Sequence, residues 1–127
     1  MKITALIARL LLGLIFTVFG LNGFLNFIHQ PPPSGLAAQF FGALYVSHYL
    51  SAIFLTQLVG GVLLLLNRFV PLALAMLAPV LVNIVLFHVC MAPHDFAPAI
   101  LALVLWFVLF IRERSAFAPL FAARKAA

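Results

Sequence analysis

The sequence predicts an all-α fold: a membrane-embedded four-helix bundle with a short interfacial helix between helices one and two. Three observations predict it. Of 127 residues, 67% are hydrophobic and only 7% charged, and the mean hydropathy is +1.29; a water-facing surface cannot be built from so few charges. The apolar residues fall into four runs, Ile3 to Ile28, Tyr49 to Leu66, Phe69 to Met91 and Ala97 to Ile111, against the roughly 20 residues that cross a hydrocarbon core. All seven Lys and Arg residues can also lie on one side of such a bundle. The chain therefore reads as one integral membrane domain over residues 1–127, with spans at 3–28, 48–66, 69–91 and 95–112.

The first run follows Lys2 and could pose as a secretory signal. It is too long for the apolar core of a signal, and no small-residue cleavage site follows before the prolines, so it is expected to stay as a helix. Arg9 lies about two turns inside it, where its long side chain can snorkel to the interface. The run ends in "LNGFLNFIHQPPP". On a continuing helix Asn22, Asn26 and His29 would fall within about 60° of one another, a single polar stripe. Pro31, Pro32 and Pro33 then force a stiff, non-helical turn. Next, "GLAAQFFGALYVSHYL" places Leu36, Phe40 and Leu44, with Phe41 and Tyr45, at helical spacing, which suits a short interfacial helix. A bend near Ser47 to Ser51 should lead it into the second span.

On that second span Gln57 is followed by Gly60 and Gly61, small residues that let another helix approach closely. A tight Asn67-Arg68 turn opens the third span, on which Pro79, Asn83 and Cys90 share a face while His88 points about 140° away from Asn83. The last run is short for a span. Pro98 is tolerated in a first helical turn, so this helix could start near Pro93 or Asp95.

Charge placement tests the count independently. Lys and Arg gather in short cytoplasmic segments, and the seven here are Lys2, Arg9, Arg68, Arg112, Arg114, Arg124 and Lys125. With both termini inside, all seven fall on the cytoplasmic side, and the two outer loops carry none. The net charge of +5 then reports orientation and contact with anionic lipid; nucleic acid is not an expected partner.

The chemistry on offer is sparse. A single cysteine, Cys90, excludes an intramolecular disulfide relay and any multi-cysteine zinc site, and it reads first as a small buried apolar residue. There is no phosphate-binding glycine loop, nucleophile elbow or helical pair of histidines at metal-binding spacing. The sequence therefore points away from a self-sufficient enzyme, and no catalytic or metal-ligating residue is assigned. What remains is the intramembrane polar set: Asn22, Asn26, His29, His48, Gln57, Asn83 and His88. Asn22, Gln57 and Asn83 could meet in the bundle interior. Such groups either hydrogen-bond across helices as structural glue or line a pocket in the outer half, where a quinone carbonyl or a thiol compound could bind. A haem held axially by His48 and His88 is the weaker alternative, because histidines at a membrane interface are common.

The segments "ARLLLGLIFTVFGLNGF", "QLVGGVLLLLNRFVPLAL" and "LAPVLVNIVLFHVCMAP" together resemble the DoxX-like small bacterial membrane proteins. The order Arg9, Gly13, Phe16, Gly20, then Gln57, Gly60, Gly61, Asn67, Arg68, Pro71, then Pro79, Asn83, His88 carries the resemblance, which spans Ala8 to Arg114. It implies a four-helix protein of the bacterial cytoplasmic membrane. For some members it implies a role beside quinone-linked sulfur oxidation, or in membrane-associated oxidoreductase complexes that handle oxidative and thiol stress. More distant relatives act as assembly chaperones. Many DoxX proteins carry a lysine shortly after the first-helix glycine; here Gly20 is followed by Leu21 and Asn22, so a role for that charge does not transfer.

The expected function is an accessory membrane subunit in a redox or thiol-stress setting, with a quinone-like ligand in the outer half of the bundle. The alternative is an assembly or scaffolding protein that holds partner helices through its small residues, Gly60 and Gly61 among them, and its apolar faces, without ligand chemistry. Expected partners are the bilayer, a membrane-associated oxidoreductase or other membrane protein, and further copies of the chain. Transport is weaker still, since no acid lies in mid-membrane to couple protons.

Overall fold

The computed structural model describes residues 2–29, 31–93 and 96–123. Among them the chain is helical without strands: α1 (Lys2–Leu25), α2 (Gly35–Val46), α3 (Tyr49–Leu65), α4 (Val70–Cys90), α5 (Ala97–Arg112), a single turn α6 (Arg114–Phe117) and a 3₁₀ turn at Ala118–Phe121. Two helices, α1 and α4, are long and apolar enough to cross a membrane, and α2 with α3 makes a third candidate if taken as one broken span, bent by 87°. The apolar α5 is shorter, at 16 residues.

The breaks follow from local chemistry. α1 ends at Leu25, not at Ile28, because Asn26 turns left-handed (φ 52°), a conformation that asparagine tolerates better than most residues. The Ser47-His48 break bends α2 away from α3, with His48 at φ 63°, as expected for that stretch. Asn67 (φ 54°) closes α3: its own amide reaches the Leu64 carbonyl at 3.2 Å and the Arg68 amide reaches the Leu63 carbonyl at 3.0 Å, the crossed pair of bonds of a Schellman motif, with Asn67 as its left-handed residue. α4 and α5 each carry a proline in the first turn, where its missing N–H leaves nothing unpaired. α5 begins at Ala97, later than the expected 95; Asp95 lies outside the described residues.

Packing links the long helices in a closed order: α1 lies along α3, α3 against α4, α4 against α5, and α5 against α1. The interior is made of leucines and small residues, with Leu12, Leu64, Leu74, Leu77 and Leu81 fully buried beside Ala8, Ala73 and Ala102. Bulky apolar side chains such as Leu14, Leu55, Val82 and Val104 face outward. In lipid there is no hydrophobic gain in hiding large side chains, so close contact between small ones selects the interface.

The α1–α3 crossing shows this directly. A Cβ on Gly61 would stand 2.5 Å from the Thr17 backbone nitrogen, and one on Gly20 would stand 2.8 Å from the Leu58 nitrogen. Backbone meets backbone there, and only glycine fits. Gly60 faces the other way, onto Leu77 of α4. The small pair foreseen on the second span is therefore consumed within the chain and is not open to a partner helix.

Candidate functional site

The seven polar residues singled out by sequence do not gather at one place. Asn22 is half-buried near the end of α1, where its Oδ1 accepts the Ile28 amide at 2.7 Å and its carbonyl accepts the Asn26 amide at 2.8 Å. It therefore ties off its own helix. Asn26 and His29 are exposed and lie beyond the helix end, so the expected single stripe does not exist: a helical stripe needs helical backbone, and that stops at Leu25. His48 is exposed at the α2–α3 bend. Gln57 is buried, at 7% exposure, on α3.

Asn83 does not join Asn22 and Gln57 inside. It is exposed on α4, and its Nδ2 donates to the Pro79 carbonyl one turn back at 2.8 Å. His88 also bonds to its own helix, with Nδ1 2.8 Å from the Ile84 carbonyl. A carbonyl oxygen only accepts, so Nδ1 carries the hydrogen, and the tautomer with its hydrogen on Nδ1 alone presents Nε2 as an acceptor. Among the described residues no group of three or more His, Cys, Asp or Glu side chains could hold a metal.

Two arrangements escaped the sequence reading. The first is an aromatic cluster: Phe40 and Phe41 of α2 meet Phe87 of α4 with ring centroids 5.9 and 5.0 Å away, and His88 lies 5.7 Å from Phe96. The Phe40-Phe41 doublet on α2 was its only sequence signal. The second is at the opposite ends of α1 and α4. The Arg9 Nη1 donates to the Leu64 carbonyl and, at 3.2 Å, to the Leu65 carbonyl, the last turn of α3. A cation there satisfies orphan carbonyls and opposes the negative end of the helix dipole. Beside it opens a cleft of about 390 Å³ lined by Lys2, Arg9, Asn67, Arg112 and Glu113 with apolar side chains of α1, α4 and α5. No local motif announces it, because its walls come from segments far apart in sequence.

α5 is held against α4 by one more bond that the sequence did not show, Trp106 Nε1 to the Leu74 carbonyl at 2.9 Å. The helices from α1 to the last turn of α4 form the segment with most of these features. A DoxX family model matches residues 4–89. The chain belongs to the DoxX family. With its apolar helices, this DoxX chain is a membrane protein carrying transmembrane helices. The match stops one residue short of the end of α4, so α5 and its Trp106 contact lie beyond it. No curated protein and no solved structure matches this DoxX chain.

Proposed function

We propose that this DoxX chain is a four-span accessory subunit of the bacterial cytoplasmic membrane that works by association with a redox or thiol-stress partner. α1, α3, α4 and α5 are the spans in this reading, and α2 lies at the outer interface. Support for an even count comes from one end of the molecule, where the start of α1, the α3–α4 turn and the end of α5 line a common cleft with Lys2, Arg9 and Arg112. Positive residues gathered at one end match a cytoplasmic face with both termini inside. The redox setting is what the family resemblance implies.

The observation that carries association is the outward face of α4. Leu72, Pro79, Asn83, Leu86 and Cys90 are all exposed and fall within about 60° of one another on the helix. Asn83 is near the middle of α4, and an outward amide in hydrocarbon is costly unless a neighbour supplies a partner. Its Nδ2 is tied to Pro79, which leaves Oδ1 for a donor on another membrane helix. The test uses Cys90, exposed on the same stripe, as the attachment point for a thiol-reactive photo-cross-linker in membranes, which needs no cysteine on the neighbour. An associated helix should be trapped through Cys90, and Asn83→Leu should weaken association by about threefold to tenfold. Association untouched by Asn83→Leu, with the fold intact, would overturn this.

A second reading keeps the quinone-like ligand, now placed at the aromatic cluster. His88 offers an acceptor at Nε2, which suits the hydroxyl of a quinol better than the carbonyl of a quinone, and flat rings pack well among Phe41, Phe87 and Phe96. Mass spectrometry of lipid extracts from the protein in mild detergent tests it: a quinol retained by the native chain and lost in His88→Phe supports it, and no retained quinol removes it.

A further inference from the structure

The cleft between the ends of α1, α4 and α5 has no part in that association, and its charges call for a ligand of their own. We propose that it is a binding site for the phosphodiester of an anionic phospholipid. Three cations, Lys2, Arg9 and Arg112, line it against one acid, Glu113. Helices α1 and α4 both begin there, at Lys2 and Val70, so two positive helix ends add to the field. Two negative helix ends lie there as well: that of α3 is covered by Arg9, and that of α5 carries Arg112 in its last turn.

Arg9 is poised for a second role. Both of its bonds to α3 are made through Nη1, so Nη2 and Nε keep hydrogens that a phosphate oxygen can accept in the forked geometry of a guanidinium. The packing that fixes Nη1 also fixes the rest of the plane, which lowers the entropy cost of binding. Lys2 and Arg112, both exposed, complete the ring of donors from two other places. Asn67 adds a neutral amide, and Glu113 can accept a hydrogen bond from a headgroup hydroxyl or ammonium.

The source of the phosphate is the membrane rather than solution. The cleft is partly apolar, and Leu6, which lines it, starts an exposed row with Leu10 and Leu14 along α1. Residues four apart share a helix face, so an acyl chain can lie along that row while its headgroup sits in the cleft. A soluble phosphate would have no use for the row. The inference needs the four-span reading only to say which leaflet supplies the lipid.

Native mass spectrometry of the full chain in mild detergent tests it, with phosphatidylglycerol, phosphatidylcholine and inorganic phosphate added in separate arms. Phosphatidylglycerol should be retained in preference to phosphatidylcholine, and the Lys2→Gln, Arg112→Gln double variant should weaken that retention by about tenfold or more. Arg114→Gln is the charge control: Arg114 bonds the Ile111 carbonyl at 3.2 Å and does not line the cleft, so retention should stay near that of the native chain. Circular dichroism checks that both variants remain helical. Equal retention of the two lipids, or an equal loss in the Arg114→Gln control, would overturn the site. Displacement of phosphatidylglycerol by millimolar inorganic phosphate would overturn the lipid assignment. Because this readout involves no partner and no cross-link, its failure is separate from failure of the association proposed for α4.

Discussion

The α1–α3 crossing and the outward face of α4 are built from similar materials and do opposite things. Each combines apolar residues with small or polar ones at helical spacing. At the crossing, Gly61 lies against the Thr17 backbone and Gly20 against that of Leu58, and every small residue is used up inside the chain. On α4, Pro79, Asn83 and Cys90 face outward and are exposed. The lesson is that a small or polar residue in a membrane helix states a need for a neighbour, while the crossing geometry decides whether the chain itself supplies one.

Stability variants separate the two regions, and the largest effect belongs to the crossing. Gly61→Leu forces a side chain into the backbone of α1 and should cost about 3 kcal/mol or more, seen as loss of folded protein in detergent. Arg9→Gln strips the ionic donor from the end of α3 and should lower stability by about 1.5 to 3 kcal/mol, read from thermal unfolding followed by circular dichroism. Trp106→Phe keeps the stacking on Phe110, 5.2 Å away, but removes the bond to Leu74 and should cost about 1 kcal/mol. Asn22→Leu frees only the Ile28 amide, so its effect should be at most about 1 kcal/mol and confined to faster hydrogen exchange around residues 24–28. Asn83→Leu should leave unfolding unchanged while association falls. A stability loss at Asn83 as large as that at Arg9 would erase the contrast, because it would mean that the amide serves the fold.

The Thr17 hydroxyl sharpens the point from inside the crossing. Its Oγ1 is buried without a hydrogen-bond partner, which is costly in an apolar interior. It is wedged beside Gly61, so close helix contact outweighs one unsatisfied hydroxyl. Sequence inspection had no means of ranking these two effects, since Thr17 on its own reads as one more position in an apolar run.

Some of the candidate site was legible and some was not, for related reasons. The helix starts and stops near Pro71, Pro98, Asn67 and Ser47 are consequences of backbone chemistry within a few residues, and they fell close to where the sequence placed them. The polar stripe of Asn22, Asn26 and His29 failed because extrapolating a helix through Asn26 ignored a local competitor, the left-handed turn that the Asn22 side chain stabilises through Ile28. The aromatic cluster and the basic cleft were missed because each joins segments that are distant along the chain.

By itself, the sequence determined that this protein is helical, that its helices are apolar enough for a membrane, and which family it resembles. Those properties are local or additive: transfer free energy sums over residues, and helix ends depend on their immediate neighbours. Only the tertiary structure decided that Arg9 caps α3, that Gly60 and Gly61 face two different helices, that Asn83 looks outward and Asn22 bonds back to its own chain. In a soluble protein the apolar stripe of a helix tells which face goes in. Here every face is apolar, so the inward one is chosen by steric fit and by hydrogen bonds between helices, which exist only once the helices cross.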